Sequence, residues 1–193
     1  VLADNLLYSR LWSRAYGAVL TSATLTALGR FDRLKARAGL PEASRFVVVP
    51  SSFRYGEMAT VEVPAMTAMP TDDSSRVDEG LPSVLFGVAS FAEGIDLPGK
   101  YLSHVVITRL PFSVPDDPIE ASLAEWVTHR GGNPFMEITV PDASIKLVQA
   151  VGRLLRTESD TGRVTILDRR IIARRYGQLL LDALPPFRRI IEP

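Results

Sequence analysis

One amide and two guanidiniums stand at helical spacing in the run Gln149-Ala-Val-Gly-Arg-Leu-Leu-Arg156. At about 100° per residue, Gln149, Arg153 and Arg156 fall within an arc of roughly 60°. Leu147, Val148, Val151, Leu154 and Leu155 take the opposite side. A helix over 142–156 would therefore bury an aliphatic back and present the polar three as a row. Asp142 suits its N-cap, accepting from free N–H groups of the first turn. Gly152 would sit mid-helix, where it costs about 1 kcal/mol relative to Ala; that cost points to close approach by another backbone or a ligand. A pair of arginines on one face is either a solvated surface or a phosphate-facing pair, and this run alone leaves both open.

A second cluster is made of hydroxyls. Thr21, Ser22 and Thr24 follow the apolar start of 17–25, as in a buried strand turning into a helix. Thr24 suits the N-cap of a helix over 25–38, ended by Gly39 and Pro41. Those hydroxyls either cap that helix or meet phosphate at its N-terminus. A third stretch, Gly94-Ile-Asp-Leu-Pro-Gly-Lys100, has the spacing of a phosphate loop, but Tyr101 stands where Ser or Thr should bind Mg²⁺. A strand, not a helix, is expected after it, so this reading is rejected.

The chain that must position these groups has 193 residues, enough for one large domain or a domain with an appendage. No apolar run approaches the ~20 residues that span a bilayer, and no signal-peptide pattern opens it, so a cytoplasmic protein without membrane contact is expected. Without cysteine it holds no disulfide, zinc–thiolate or iron–sulfur site of its own. His104 and His129 lack partners at metal-ligand spacing, and no metal site is expected. Net charge is zero, which gives no global basic field. From 146 to 193, however, ten Lys/Arg meet five Asp/Glu, while from 70 to 120 three meet nine. A basic end and an acidic middle suit a phosphate-facing site.

The elements read as a helix over 3–14, strands at 46–49, 60–63, 83–87, 103–110 and 162–167, and helices over 119–129, with Trp126 inward, and 171–184. Residues 64–83 carry three prolines and no periodicity, as in a linker, a disordered loop or a place where residues are missing. Alternating strands and helices imply an α/β fold with a mostly parallel sheet and ligands at the strands' carboxyl ends.

Taken together, Thr21-Ser-Ala-Thr-Leu25, Ser90-Phe-Ala-Glu-Gly-Ile-Asp96 and Gln149-Ala-Val-Gly-Arg-Leu-Leu-Arg156 resemble motifs III, V and VI of superfamily 2 helicases. The Glu-Gly-Ile-Asp form, the following Leu-Pro-Phe-Ser-Val-Pro-Asp-Asp-Pro and the closing Tyr176-Gly177 and Leu181-Asp-Ala-Leu-Pro185 are similar to the DinG branch of the XPD/DinG family. The resemblance covers nearly the whole chain, with the motifs in order. It implies a RecA-like second motor domain, a mostly parallel sheet with helices on both faces, over 45–193. Residues 1–44 would supply the motif III strand and an interdomain segment, with a linker or missing segment near 70–83.

The resemblance also implies roles. Arg156 would be the arginine finger and Arg153 its companion. Gln149 and Gly152 would lie at the nucleotide, with Glu93, Gly94 and Asp96 of motif V. Thr21, Ser22, Thr24, Ser90 and Phe91 would couple nucleotide to nucleic acid. The family moves 5′ to 3′ along single-stranded DNA, unwinds forked duplexes and acts in repair and replication, which implies a nucleoid-associated protein using ATP and Mg²⁺. The motif I lysine, the motif II acid pair and iron–sulfur cysteines are absent here, so the shared ATP site would need an N-terminal RecA-like half, and this chain alone would be inactive. Two other readings compete: a strand- or partner-binding module without ATP turnover, and an unrelated doubly wound enzyme using the Gly94 loop, which would need a complete phosphate loop that the sequence does not supply.

Overall fold

The computed structural model describes residues 4–22, 24–66, 101–113 and 118–192. They form two compact units. One comprises Val1–Ser51 and Phe112–Ile145, the other Ser52–Pro111 and Lys146–Pro193.

The second unit contains the sheet. Strands β1 (Ala59–Val63), β2 (His104–Ile107), β3 (Gly162–Ile166) and β4 (Arg188–Ile191) lie in the order β2-β3-β1-β4, and every pair is parallel. The α/β class with a parallel sheet is therefore as expected, and so is the pairing of β2 with β3. The strand expected at 83–87 falls outside the described residues. Register sets Val61 beside Val164 and Val164 beside Val105. Alternate residues Ala59, Val61 and Val63 of β1 and Val164 and Ile166 of β3 are buried. β-branched side chains favour such a half-covered pleated surface.

Helices α3 (Tyr55–Met58), α6 (Arg170–Ala173) and α7 (Arg175–Ala183) complete this unit. The single helix expected over 171–184 is broken at Arg174, which is extended at φ −116° and ψ 145°. The break lets α7 fold back tightly: a Cβ on buried Gly177 would run into the Ile171 carbonyl. Ile171, Leu180, Leu181, Leu184 and Phe187 are buried here.

The first unit has α1 (Asp4–Arg10), a 3₁₀ turn (Trp12–Arg14), α2 (Asp32–Ala38), α4 (Pro118–His129), a π-helical turn (Phe135–Thr139) and the start of α5 (Val140–Val151), whose residues from Lys146 on belong to the second unit. The Trp12 indole N–H donates to the Ala38 carbonyl at 2.6 Å. A proline inside the first turn of α5, Pro141, removes an i→i−4 donor, and the widened turn precedes it. Gly131, at φ 79°, ends α4: its N–H bonds to the Thr128 carbonyl and that of Gly132 to the Val127 carbonyl, the paired bonds of a Schellman cap.

Several expectations for this unit fail. Residues 17–22 and 46–49 form no strand; Val47, Val48 and Val49 are 74%, 68% and 82% exposed. No neighbouring strand among the described residues offers them a ladder. Helix α2 begins at Asp32, not near 25, because the chain reverses at Ala27–Arg30 with both Leu28 and Gly29 at positive φ. Trp126 points outward, about half exposed, with the Arg130 guanidinium 4.4 Å from its ring centroid, and Val127 is the buried residue of α4 instead.

Candidate functional site

The back of the 149–156 run is as the spacing requires. Leu147, Val151, Leu154 and Leu155 are buried at 6% exposure or less, while Gln149, Gly152 and Arg156 are exposed and Arg153 is half-buried. The helix is shorter than expected. It stops at Val151, so only Gln149 lies on it, and Gly152, Arg153 and Arg156 belong to the turns that follow.

Local hydrogen bonding explains the stop. Gly152 N–H still reaches the Val148 carbonyl at 2.9 Å, but Arg153 and Leu154 bond only three residues back, to Ala150 and Val151. The N–H groups of Arg156 and Thr157 would continue the helix; instead both donate to Asp160 Oδ2, at 2.7 and 2.9 Å. The Thr157 hydroxyl donates to Asp160 Oδ1 at 2.6 Å. Asp160 is 5% exposed. A buried carboxylate holding neighbouring N–H groups competes with the helix and prevails. Fixing Arg156 N–H also fixes where its side chain leaves the backbone.

Leu154 anchors the turn from beneath. A Cβ on Gly162 would lie 2.6 Å from Leu154 Cδ1, so this leucine rests on the amino end of β3. The arginine turn thus belongs to the amino end of that strand, not to the carboxyl end that doubly wound sheets lead one to expect.

At the carboxyl end sits a group that the sequence motifs did not point to. Asp168, fully buried, accepts from Leu110 N–H at 2.8 Å and Arg170 N–H at 3.0 Å. The Arg170 guanidinium grips both its oxygens, with Nη2 at 2.6 Å from Oδ2 and Nε at 2.9 Å from Oδ1. Burial pushes its pKa up, but Arg170 and the N–H groups of Leu110 and Arg170 outweigh burial and hold the carboxyl below the usual range. The clamp ties the segment after β2 to the end of β3. An aspartate closing an apolar strand before two arginines was the signal available.

Asp142 is no cap. It lies inside α5, its carboxylate paired with Arg33 of α2 and 3.8 Å from Arg37. Helix α5 starts earlier, at Val140, through the π turn, which leaves Asp142 free to face α2. In the same unit Ser22 and Thr24 bond each other, with 3.2 Å between hydroxyl oxygens, and Thr24 N–H donates to Ser22 Oγ. Thr24 therefore caps no helix, and Thr21 is exposed beside it. Ser90, Phe91, Glu93, Gly94 and Asp96 lie outside the described residues. The structure brings Gln149, Gly152, Arg153 and Arg156 together in one unit and Thr21, Ser22 and Thr24 together in the other.

Comparison with known proteins agrees with the motifs. A family model for the helicase C-terminal domain matches residues 71–187. The chain is 40% identical over 247 residues to the ATP-dependent DNA helicase DinG of Photobacterium profundum, covering 94% of this chain and 36% of that protein. It is 30% identical over 243 residues to DinG of Escherichia coli (strain K12) and of Salmonella typhimurium, with 92% of this chain and 34% of each covered. The chain spans about a third of the length of the curated relatives it matches. In the first match 94% of 193 residues, about 181, align over 247, so that relative carries about 66 residues more in the matched span.

Proposed function

Since the chain belongs to the helicase C-terminal domain family, we propose that it is the C-terminal motor half of a DinG-type ATP-dependent DNA helicase, moving 5′ to 3′ on single-stranded or forked DNA in repair or replication. The observation that carries the reading is the pinned turn after α5. Two guanidiniums and an amide leave a segment whose back is buried and whose backbone is held by Asp160. Charge held in place before reaction stabilises a transferring phosphoryl group without reorganisation at the moment of transfer. In this reading Arg156 reaches the equatorial oxygens as the finger, Arg153 flanks it, and Gln149 and Gly152 border the γ-phosphate. Glu93, Gly94 and Asp96 complete the nucleotide side. Ser90, Phe91, Thr21, Ser22 and Thr24 pass its state to the strand.

The phosphate loop and its lysine would come from an N-terminal RecA-like half. Exposed apolar runs at 16–20 and 46–49 support that partner, because unpaired β-branched backbone is a template for added strands. The relative's additional residues support a segment missing from this chain near 70–83. Mg²⁺ would enter with ATP and neutralise charge on its phosphates; among the described residues no group of three or more His, Asp or Glu could hold it. Action on DNA would fit the cytoplasm and the nucleoid. Separately, none of the described helices is long and apolar enough to cross a membrane.

The test is ATP turnover by the full-length protein. Arg156→Ala should lower kcat by on the order of 10³-fold, the low end for arginine fingers, with little change in strand affinity. Arg156→Lys should not restore it, since a point charge lacks the planar fork. Unchanged kcat in Arg156→Ala would overturn the motor reading and favour a binding module. The 193-residue chain alone should show no turnover above background; DNA-stimulated turnover by it would overturn the shared site.

A further inference from the structure

The second unit contains a cavity of about 440 Å³ lined by α6, α7 and β4, outside motifs III, V and VI. Its volume falls within the ~300–1,000 Å³ typical of ligand sites. Arg174, Arg175 and Gln178 supply its polar lining, and Ile171 and Leu181, both buried, part of its apolar bed.

Charge around it is unbalanced. Residues 163–192 hold seven arginines against Asp168, Asp182 and Glu192. Asp168 is taken by Arg170, and Asp182 accepts from Arg189 at 3.0 Å and from the Gln178 amide at 2.8 Å. Arg163 reaches Glu62 instead, at 3.4 Å. The side chains of Arg174 and Arg175 have no ion pair or hydrogen bond among the described residues, and both residues are exposed. They also open α7, whose first turn carries no acid. Cations there oppose the helix dipole by about 0.3–1 kcal/mol each. Glu192 accepts from the Ala65 N–H at 3.2 Å. Among the described residues, two adjacent guanidiniums that line one cavity are thus left to meet an anion.

We infer that this cavity is a second contact for the nucleic-acid strand, gripping its phosphodiester backbone through Arg174 and Arg175. Guanidinium forks match phosphate oxygens bidentately, and the apolar bed suits the sugar or base beside them. Carboxylates of an acidic peptide meet the same forks but bring no sugar or planar base to the bed. The inference rests on the proposed action on DNA, but not on the arginine turn.

The experiment measures binding of a fluorescent oligo-dT to the full-length protein across a salt series. Loss of two phosphate contacts should weaken binding of Arg174→Ala/Arg175→Ala about tenfold and flatten the log–log salt slope by about 1.4, at ~0.7 per single-strand phosphate. Arg174→Lys/Arg175→Lys, which keeps the charge, should keep the slope. Wild-type affinity and slope in the alanine pair would overturn the inference, as would loss of slope in the lysine pair. An alanine pair that holds oligo-dT normally yet loses binding of poly-glutamate would also overturn it, assigning the cavity to an acidic protein. If Arg156→Ala leaves ATP turnover intact while the alanine pair weakens oligo-dT binding, the motor reading falls and this surface stands.

Discussion

His104-Val-Val-Ile107 and Phe46-Val-Val-Val49 share a central valine pair followed by a third β-branched residue, and they end in opposite situations. The first is β2, paired in parallel with β3 through Val105–Val164 and Ile107–Ile166. The second forms no strand, and its three valines are at least 68% exposed. Intrinsic β-preference is at least as high in the second, which opens on Phe rather than His. A ladder is what differs: β3 supplies backbone partners and buried Val164 and Ile166 to one run, and nothing among the described residues supplies them to the other. β-propensity is in this sense a preference for a surface that must already exist. Where such a surface is missing, exposed β-branched backbone is a template for added strands.

The largest effect should come from the clamp that closes the paired side. Arg170→Ala leaves the buried Asp168 carboxylate unpaired and should destabilise by about 3–5 kcal/mol, read by chemical denaturation. The clamp also sets an acid limit. Because the folded pKa of Asp168 is depressed, its contribution is complete above the unfolded value near 3.9 and is lost as pH falls through the folded one. Melting temperature should drop below about pH 4 in the wild type and less in Arg170→Ala.

Next in size, Ile166→Ala should cost about 2–5 kcal/mol, since the methyls removed are fully buried in β3. Val48→Ala, a comparable deletion in the unpaired run, should stay within about 0.5 kcal/mol in this chain. Equal losses at the two positions would break the contrast. In the full-length protein Val48→Ala should cost clearly more, if an N-terminal half covers that run. Asp160→Ala, which frees the N–H groups of Arg156 and Thr157, should cost about 1–3 kcal/mol and depress ATP turnover as well.

A smaller effect belongs to His104. Burial, then the nearby Arg163, lowers its pKa, and its ring Nε2 lies 2.8 Å from Thr165 Oγ1. The folded state prefers neutral imidazole, so this contribution is present above about pH 6.5 and is lost as pH falls through the depressed folded value. Melts between about pH 7.5 and 5 should show a modest decline that His104→Gln removes.

Much of the second unit is legible from the order of its apolar residues. Alternation at 59–63 and the β-branched run at 104–107 locate strands because burial of one pleat face is a local, period-two requirement. The buried and exposed sides of 147–156 were likewise readable, since Leu147, Val151, Leu154 and Leu155 must leave water whatever the backbone does between them. The end of that helix was not. Val151 to Arg156 has helical periodicity throughout, yet the bonds tighten to three residues back at Arg153 and Leu154, and Asp160 then captures the N–H groups of Arg156 and Thr157.

The amino acids read on their own thus yield an inventory: which residues avoid water, which carry charge, and the order of three motifs. Folding chose which apolar runs become strands, where the arginine turn leaves the helix, and which arginines keep a carboxylate. Those outcomes depend on partners distant in the chain: Leu110 for Asp168, Glu62 for Arg163, β3 for β2. Periodicity reports the free energy of a residue leaving water, which is local. Choosing one hydrogen-bond or ion-pair partner among several is a property of the folded chain.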